Sequence, residues 1–172
     1  MNRVSTSLRA LVIGLLALAT LHVSAEQEKK LEDGLANALR LKNGSVQRSG
    51  TSGKAIQAYM HAGLVGKKPT QRSDYTDYYL LRKPAGFMGH ELVVIEEEYM
   101  AQYVGCCVSP GAGLSVKVNG RADNLEAFAR QNKCTFTDKV DLQRALREVG
   151  VKVVLPAARY ATLSCRERDA DR

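Results

Sequence analysis

Asp74–Glu98 reads DYTDYYLLRKPAGFMGHELVVIEEE, and the fold follows from how this stretch is read. Its first ten residues are rich in tyrosine and have the composition of a strand. Pro84-Ala85-Gly86-Phe87-Met88-Gly89 is a turn. Glu91–Glu98 (ELVVIEEE) then returns as a second strand. Contiguous strands joined by a short turn pair antiparallel, so the centre of the chain predicts a mainly antiparallel sheet.

C-terminal to the hairpin, Tyr99–Val108 reads as a third strand after a bend near Tyr99-Met100, and Ser109–Gly113 (SPGAG) turns the chain. Leu114, Val116 and Val118 then alternate with Ser115, Lys117 and Asn119, the pattern of a half-buried strand. Two helices follow. Asp123 with Glu126 resembles a capping box ahead of Leu125, Phe128 and Ala129. Thr137 is placed to cap a helix over 138–149, whose apolar stripe is Leu142, Ala145, Leu146 and Val149. Gly150 ends it. Val151–Leu155 and Arg159–Arg166 read as a final strand pair around Pro156.

On the N-terminal side, 54–65 is a helix burying Ile56, Met60 and Leu64. Gln27–Lys42 is another, with Leu31, Leu35 and Leu39 at i, i+4 spacing. The pattern amounts to an α+β fold, a mainly antiparallel sheet with helices packed over one face.

Residues 1–25 have a different character. Arg3 and Arg9 precede an apolar run, Ala10–Leu21, which ends near Val23-Ser24-Ala25. A basic head, an apolar middle and small residues at the end describe a cleavable secretory signal. The run is shorter than the roughly 20 residues a bilayer span needs, so a retained anchor is disfavoured and no stable membrane insertion is expected. No cysteine precedes Cys106, which leaves no site for N-terminal lipidation. Cleavage would leave residues 26–172 as a single exported α+β domain of 147 residues, carrying 23 basic against 18 acidic side chains. These basic residues are scattered rather than gathered in a stripe, which argues against nucleic-acid binding.

Four cysteines remain: Cys106, Cys107, Cys134 and Cys165. An even number in an exported chain predicts two disulfides. Zinc binding would need closely spaced ligand pairs, and these are missing. Adjacent cysteines rarely bond each other, and on a strand they face opposite ways. Cys106 shares its strand face with Val104 and Val108, which favours Cys106–Cys134 with Cys107–Cys165.

Catalytic patterns are not evident. The segment after the signal holds His61 and His90, but neither G-x-S-x-G nor H-E-x-x-H. Ser49–Ala55 (SGTSGKA) fails as a phosphate loop because Arg48 stands where its first glycine is needed and Ala55 where Ser or Thr should be. The expectation is a binding protein with no catalytic, cofactor or metal site. Two binding surfaces suggest themselves. Phe87 and Met88 sit between glycines at a hairpin tip, where large apolar groups need a partner unless the tip folds back on the core. Glu96, Glu97 and Glu98 form an acidic run in a basic chain. Tyr75, Tyr78, Tyr79, Tyr99 and Tyr103 are a weaker third candidate.

A small exported protein with two disulfides, an acidic strand and no catalytic residues resembles the periplasmic immunity proteins that bacteria keep against type VI secretion effectors. Residues 77–111 (DYYLLRKPAGFMGHELVVIEEEYMAQYVGCCVSPG) look most similar to the immunity partners of phospholipase effectors, the phospholipase D type in particular. The resemblance implies a periplasmic protein whose partner is a cognate toxin, inhibited by occlusion of its active site. On that reading Glu96, Glu97 or Glu98 mimics a phosphate while Phe87 and Met88 fill an acyl-chain groove. An accessory domain binding an envelope component, or an inhibitor of lysozyme-like enzymes, fits the same pattern.

Overall fold

The computed structural model describes residues 25–104 and 106–170; the expected signal segment lies outside these, apart from Ala25. Within them β1 (Gln71–Ser73), β2 (Thr76–Leu80), β3 (Gly86–Phe87), β4 (His90–Glu98), β5 (Gly111–Lys117), β6 (Thr135–Asp138) and β7 (Tyr160–Arg166) form one sheet. Its order is β1-β2-β4-β5-β7-β6, with β3 paired to β4, and every pairing is antiparallel. The helices are α1 (Ala25–Leu39), α2 (Ser52–His61), α3 (Asp123–Gln131), α4 (Leu142–Glu148) and α5 (Glu167–Ala170). The fold is α+β.

Alternation along the strands sorts the two faces. Leu92, Ile95, Leu114, Val116, Ala161 and Leu163 point to one side, where they meet Leu35 and Leu39 of α1, Ile56 and Tyr59 of α2, and Leu125 and Phe128 of α3. The i, i+4 leucines of α1 thus find the core their spacing requires. Val94 and Tyr160 point to the opposite side, under Leu142 and Leu146 of α4. Three helices therefore share one face, and α4 covers part of the other.

Local chemistry sets the element ends. Thr51 caps α2 by accepting from the Lys54 amide, and Asp141 caps α4 by accepting from the Arg144 amide at 3.0 Å. Thr137, expected as that cap, instead lies in β6 opposite Thr162. The α3 start lacks the expected box: Ala122 is the cap residue and makes no side-chain bond. Gly150, with φ of 85°, takes the left-handed conformation that ends α4.

Among the described residues two expected strands are absent. In place of a strand over 99–108 there is a short 3-10 turn, Ala101–Tyr103. The Tyr103 carbonyl accepts from the amides of Cys106, Cys107 and Val108 at 3.3, 3.0 and 3.1 Å. Residues 151–155 pair with no strand and bond instead to a side chain: Gln143 Nε2 donates to the Val153 carbonyl at 2.6 Å and its Oε1 accepts from the Leu155 amide at 2.8 Å. One glutamine thereby supplies the donor and acceptor that a neighbouring strand would have offered.

The disulfide pairing also differs from expectation. Cys106 bonds Cys107, and Cys134 bonds Cys165. The alternation argument fails because the segment around Cys106 is a tight turn rather than a strand. Cys134 reaches Cys165 because the register Thr135↔Ser164 sets the preceding residue opposite Cys165, with a Cα separation of 4.4 Å.

Candidate functional site

The hairpin tip proposed as a binding surface is a structural corner. Met88 and Gly89 both have positive φ, 50° and 80°, the two-residue turn that suits tight hairpins. The Met88 amide donates to Glu32 on α1 at 2.7 Å, and its carbonyl accepts from Asn124 on α3 at 2.6 Å. Held from both sides, the tip folds inward. Phe87 is wholly buried and meets Phe128 edge to face, with centroids 6.4 Å apart. Met88 is half-buried against the same core. Phe87 is not available to a partner.

The acidic run is equally engaged. Glu98 is buried, with its Oε1 2.6 Å from Arg166 Nε and 2.8 Å from Arg168 Nη2. Its other oxygen accepts from the Ser109 amide at 2.9 Å. Burial pushes its carboxyl up, but the bonds from Arg168 and Ser109 and the two arginine charges outweigh that and hold it below the ordinary range. Glu96 accepts from Arg166 Nη2 at 2.8 Å. Glu97 faces the other way, buried beside the start of α2, directly across from Asp77. Burial raises its pKa, a hydrogen bond from Ser52 opposes the shift, and the Asp77 charge adds to it.

The sheet register explains how arginines from β7 and α5 reach a strand two places away. Glu98 pairs with Gly111 and Gly111 with Arg166, while Glu96 pairs with Gly113 and Gly113 with Ser164. Neither glycine carries a side chain to stand between the ions. A Cβ on Gly113 would lie 3.2 Å from Arg166 Nη1 and 3.3 Å from Glu96 Oε2. The alternation Gly-Ala-Gly in β5 is thus a window for the ion cluster, and it is the sequence signal that points to it. Asp169 closes the cluster, accepting from Thr135, Ser164 and the Arg166 amide at 2.6, 2.7 and 2.9 Å.

His61 and His90 lie apart. His90 is buried, its Nδ1 accepting from the Asn119 amide at 3.1 Å, which leaves Nε2 to donate to Asn124 Oδ1 at 3.0 Å. His61 lies exposed at the end of α2. The tyrosines do not form one surface. Tyr79 is buried in the core, Tyr75 packs on Tyr103 at 4.8 Å between centroids, and Tyr99 accepts a hydrogen bond from Arg72. No group of three or more potential metal ligands converges among the described residues, and no helix among them is long and apolar enough to cross a membrane.

An open surface lies at the other end of the sheet. A cleft of about 240 Å³ runs between the β2–β4 end and the 153–156 segment, walled by Leu80, Val93, Val153, Leu155 and Tyr160. Tyr160 donates its hydroxyl hydrogen to the Pro156 carbonyl at 2.7 Å and so fixes the far wall. Val153 also lines a second apolar groove, with Val151 and Val154, and Val154 is 92% exposed. The ridge 151–156 therefore stands between two apolar depressions and carries an uncovered valine at its crest. Arg82, Lys83 and the Glu91–Lys117 ion pair border the cleft, and Lys67 and Lys68 border the adjoining hollow with Leu80 and Arg82. None of Arg82, Lys83, Lys67 and Lys68 makes an ion pair with a described residue. In the sequence Val151–Leu155 reads as one strand of the final pair, which hides this surface. The clue was Lys67-Lys68 and Arg82-Lys83, two basic pairs without acidic neighbours.

No protein family, curated protein or solved structure matches the chain.

Proposed function

We propose that this chain is a periplasmic immunity protein that binds and inhibits a secreted toxin, the role its resemblance implies, and that it does so through the 151–156 ridge. The exposed Val154, on a ridge whose Val153 also walls a cleft bordered by Arg82 and Lys83, carries the choice of surface. Apolar groups left in water beside a charged rim are characteristic of interfaces. The two disulfides fit an oxidising compartment. The ridge is held by Gln143 and Tyr160, so it meets a partner already shaped, which lowers the ordering cost of binding. Its charge calls for an acidic patch on the toxin, next to an apolar hollow that takes Val154. The expected phosphate mimicry by Glu96 and Glu98 has no part in this arrangement, because both are paired inside the sheet.

The test is a calorimetric titration of the effector encoded beside this gene. The wild-type protein is compared with Val154→Asp and with Arg82→Glu/Lys83→Glu. One-to-one binding with loss of toxin activity is expected, weakened tenfold or more by either change, a cost of about 1.4 kcal/mol or above. A wild type that leaves the toxin active rejects the immunity reading. Variants that inhibit as well as wild type keep the function and reject the surface. Binding to phosphatidylglycerol vesicles without binding to the effector favours the envelope reading, since the same cations would take phosphates.

A further inference from the structure

The two disulfides are built for different purposes. Cys134–Cys165 ties the residue before β6 to β7 across 31 positions, with Cys165 fully buried and Arg48 bonded to Cys134 Sγ at 3.8 Å. Cys106–Cys107 joins sequence neighbours, and both residues are exposed. A cross-link stabilises chiefly by restricting the unfolded chain, and its effect grows with the loop it closes. A bond between adjacent residues restricts almost nothing and connects no two elements. Stability therefore does not account for it.

Its surroundings suit exchange. The two cysteines line an open hollow of about 390 Å³ with Val104, Val108 and Arg168, so a thiol can reach the bond from solvent. Glu167 and the half-exposed Arg168, whose guanidinium is paired with Glu98, complete the rim of that hollow. The amides of Cys106, Cys107 and Val108 all donate to the Tyr103 carbonyl, so both cysteines are anchored through their backbone as well as through the bond between them. Exposed disulfides are the labile, regulatory or catalytic ones, whereas buried cross-links resist reduction.

We propose that Cys106–Cys107 is a reversible thiol–disulfide exchange site whose substrate is a dithiol. A thiolate of the dithiol attacks one of the two sulfurs, forming a mixed disulfide, and the neighbouring sulfur leaves as a thiolate that takes up a proton. The second thiol of the reductant then attacks the mixed disulfide. It closes the reductant's own disulfide and releases the remaining cysteine as a thiol. Two electrons and two protons pass from the dithiol to the cysteine pair, and an oxidised disulfide partner reverses the step. This site is independent of the ridge and of the immunity reading.

The native, oxidised protein is incubated with graded dithiothreitol, or with a reduced protein dithiol of the Cys-x-x-Cys type, then alkylated and mapped by peptide mass. Half-reduction of Cys106–Cys107 is expected at a dithiothreitol concentration at least about tenfold below that for Cys134–Cys165, which corresponds to about 30 mV for a two-electron couple. Reduction by the protein dithiol identifies an oxidoreductase as the source, and reduction by dithiothreitol alone identifies a small dithiol. Resistance to both overturns the proposal. A second measurement compares Cys106→Ser/Cys107→Ser with Cys134→Ala/Cys165→Ala in thermal melts. The first variant should keep the wild-type melting temperature within about 2 °C, and a fall equal to that of the second variant means that the bond is structural and the proposal is wrong.

Discussion

Replacing Glu98 by glutamine keeps the shape of the side chain and removes one charge from the ion cluster. Its side chain is 4% exposed and that of Arg166 6%, so neither ion regains water when the other is neutralised. Breaking a buried pair by removing one partner costs about 3–5 kcal/mol. Arg166 keeps its contact with Glu96, and the half-exposed Arg168 can rehydrate, which points to the lower end, about 3 kcal/mol. In a chain of this size that is a fall of about 6–12 °C in melting temperature. Urea denaturation at pH 7, with Glu91→Gln as control, measures it. The Glu91–Lys117 pair is 44% and 32% exposed, and its loss should cost less than about 1 kcal/mol. The pH dependence supplies an internal check. The folded pKa of Glu98 is depressed, so its contribution is complete above the unfolded value of about 4.3 and is lost as pH falls through the folded one. The deficit of the variant should therefore shrink steadily below pH of about 4. A deficit under about 1 kcal/mol at pH 7, or one unchanged at pH 3, would refute the reasoning.

Phe87→Ala empties a fully buried site against Phe128 and should destabilise by about 3–5 kcal/mol in chemical denaturation. Glu97 has a raised folded pKa through burial, so it contributes stability at low pH that is lost as pH rises through that value. Glu97→Gln should accordingly melt higher than wild type at neutral pH, with the gain disappearing below pH of about 4. Gln143→Ala removes both bonds that hold 153–155. Amide exchange at Leu155 should speed up at least tenfold while amides of β5 stay protected.

The elements legible in sequence were those whose signal is local. Leucine spacing located α1, alternation located β5, and the tyrosine-rich run with its turn and return located β2 and β4. What escaped depended on distant partners. Three consecutive glutamates look exposed until β5 and β7 bring Arg166 and Arg168 beside them, and only the register across Gly111 and Gly113 does so. Four residues of β6 carry too little pattern to announce a strand, and Thr137 reads as naturally as a cap as it does as a ladder residue. The 151–155 segment has strand composition, but its ladder partner is one side chain. The cysteine pairing failed for a related reason: it assumed that Cys106 and Cys107 sit on a strand, whereas they follow a turn closed on Tyr103. The candidate site suffered most: of the two alternatives for the hairpin tip the fold back on the core is the one seen, the glutamates are paired inside the sheet, and Val151–Leu155, which reads as a strand, carries the exposed Val154.

The strand order has a consequence for life at high concentration. The sheet ends in β1 and β6, only three and four residues long. Unpaired backbone along a sheet margin is a template on which a second molecule can add a strand, and long flat margins lead to fibres and swapped dimers. Here each margin offers too little ladder to hold a stranger. Arg72 stands on the outer strand at one end; Lys133 and Lys139, both with positive φ, bend the chain away on either side of β6 at the other. The long, well-paired strands β4, β5 and β7 are kept in the interior, so the protein can accumulate without its own sheet becoming a seed for aggregation.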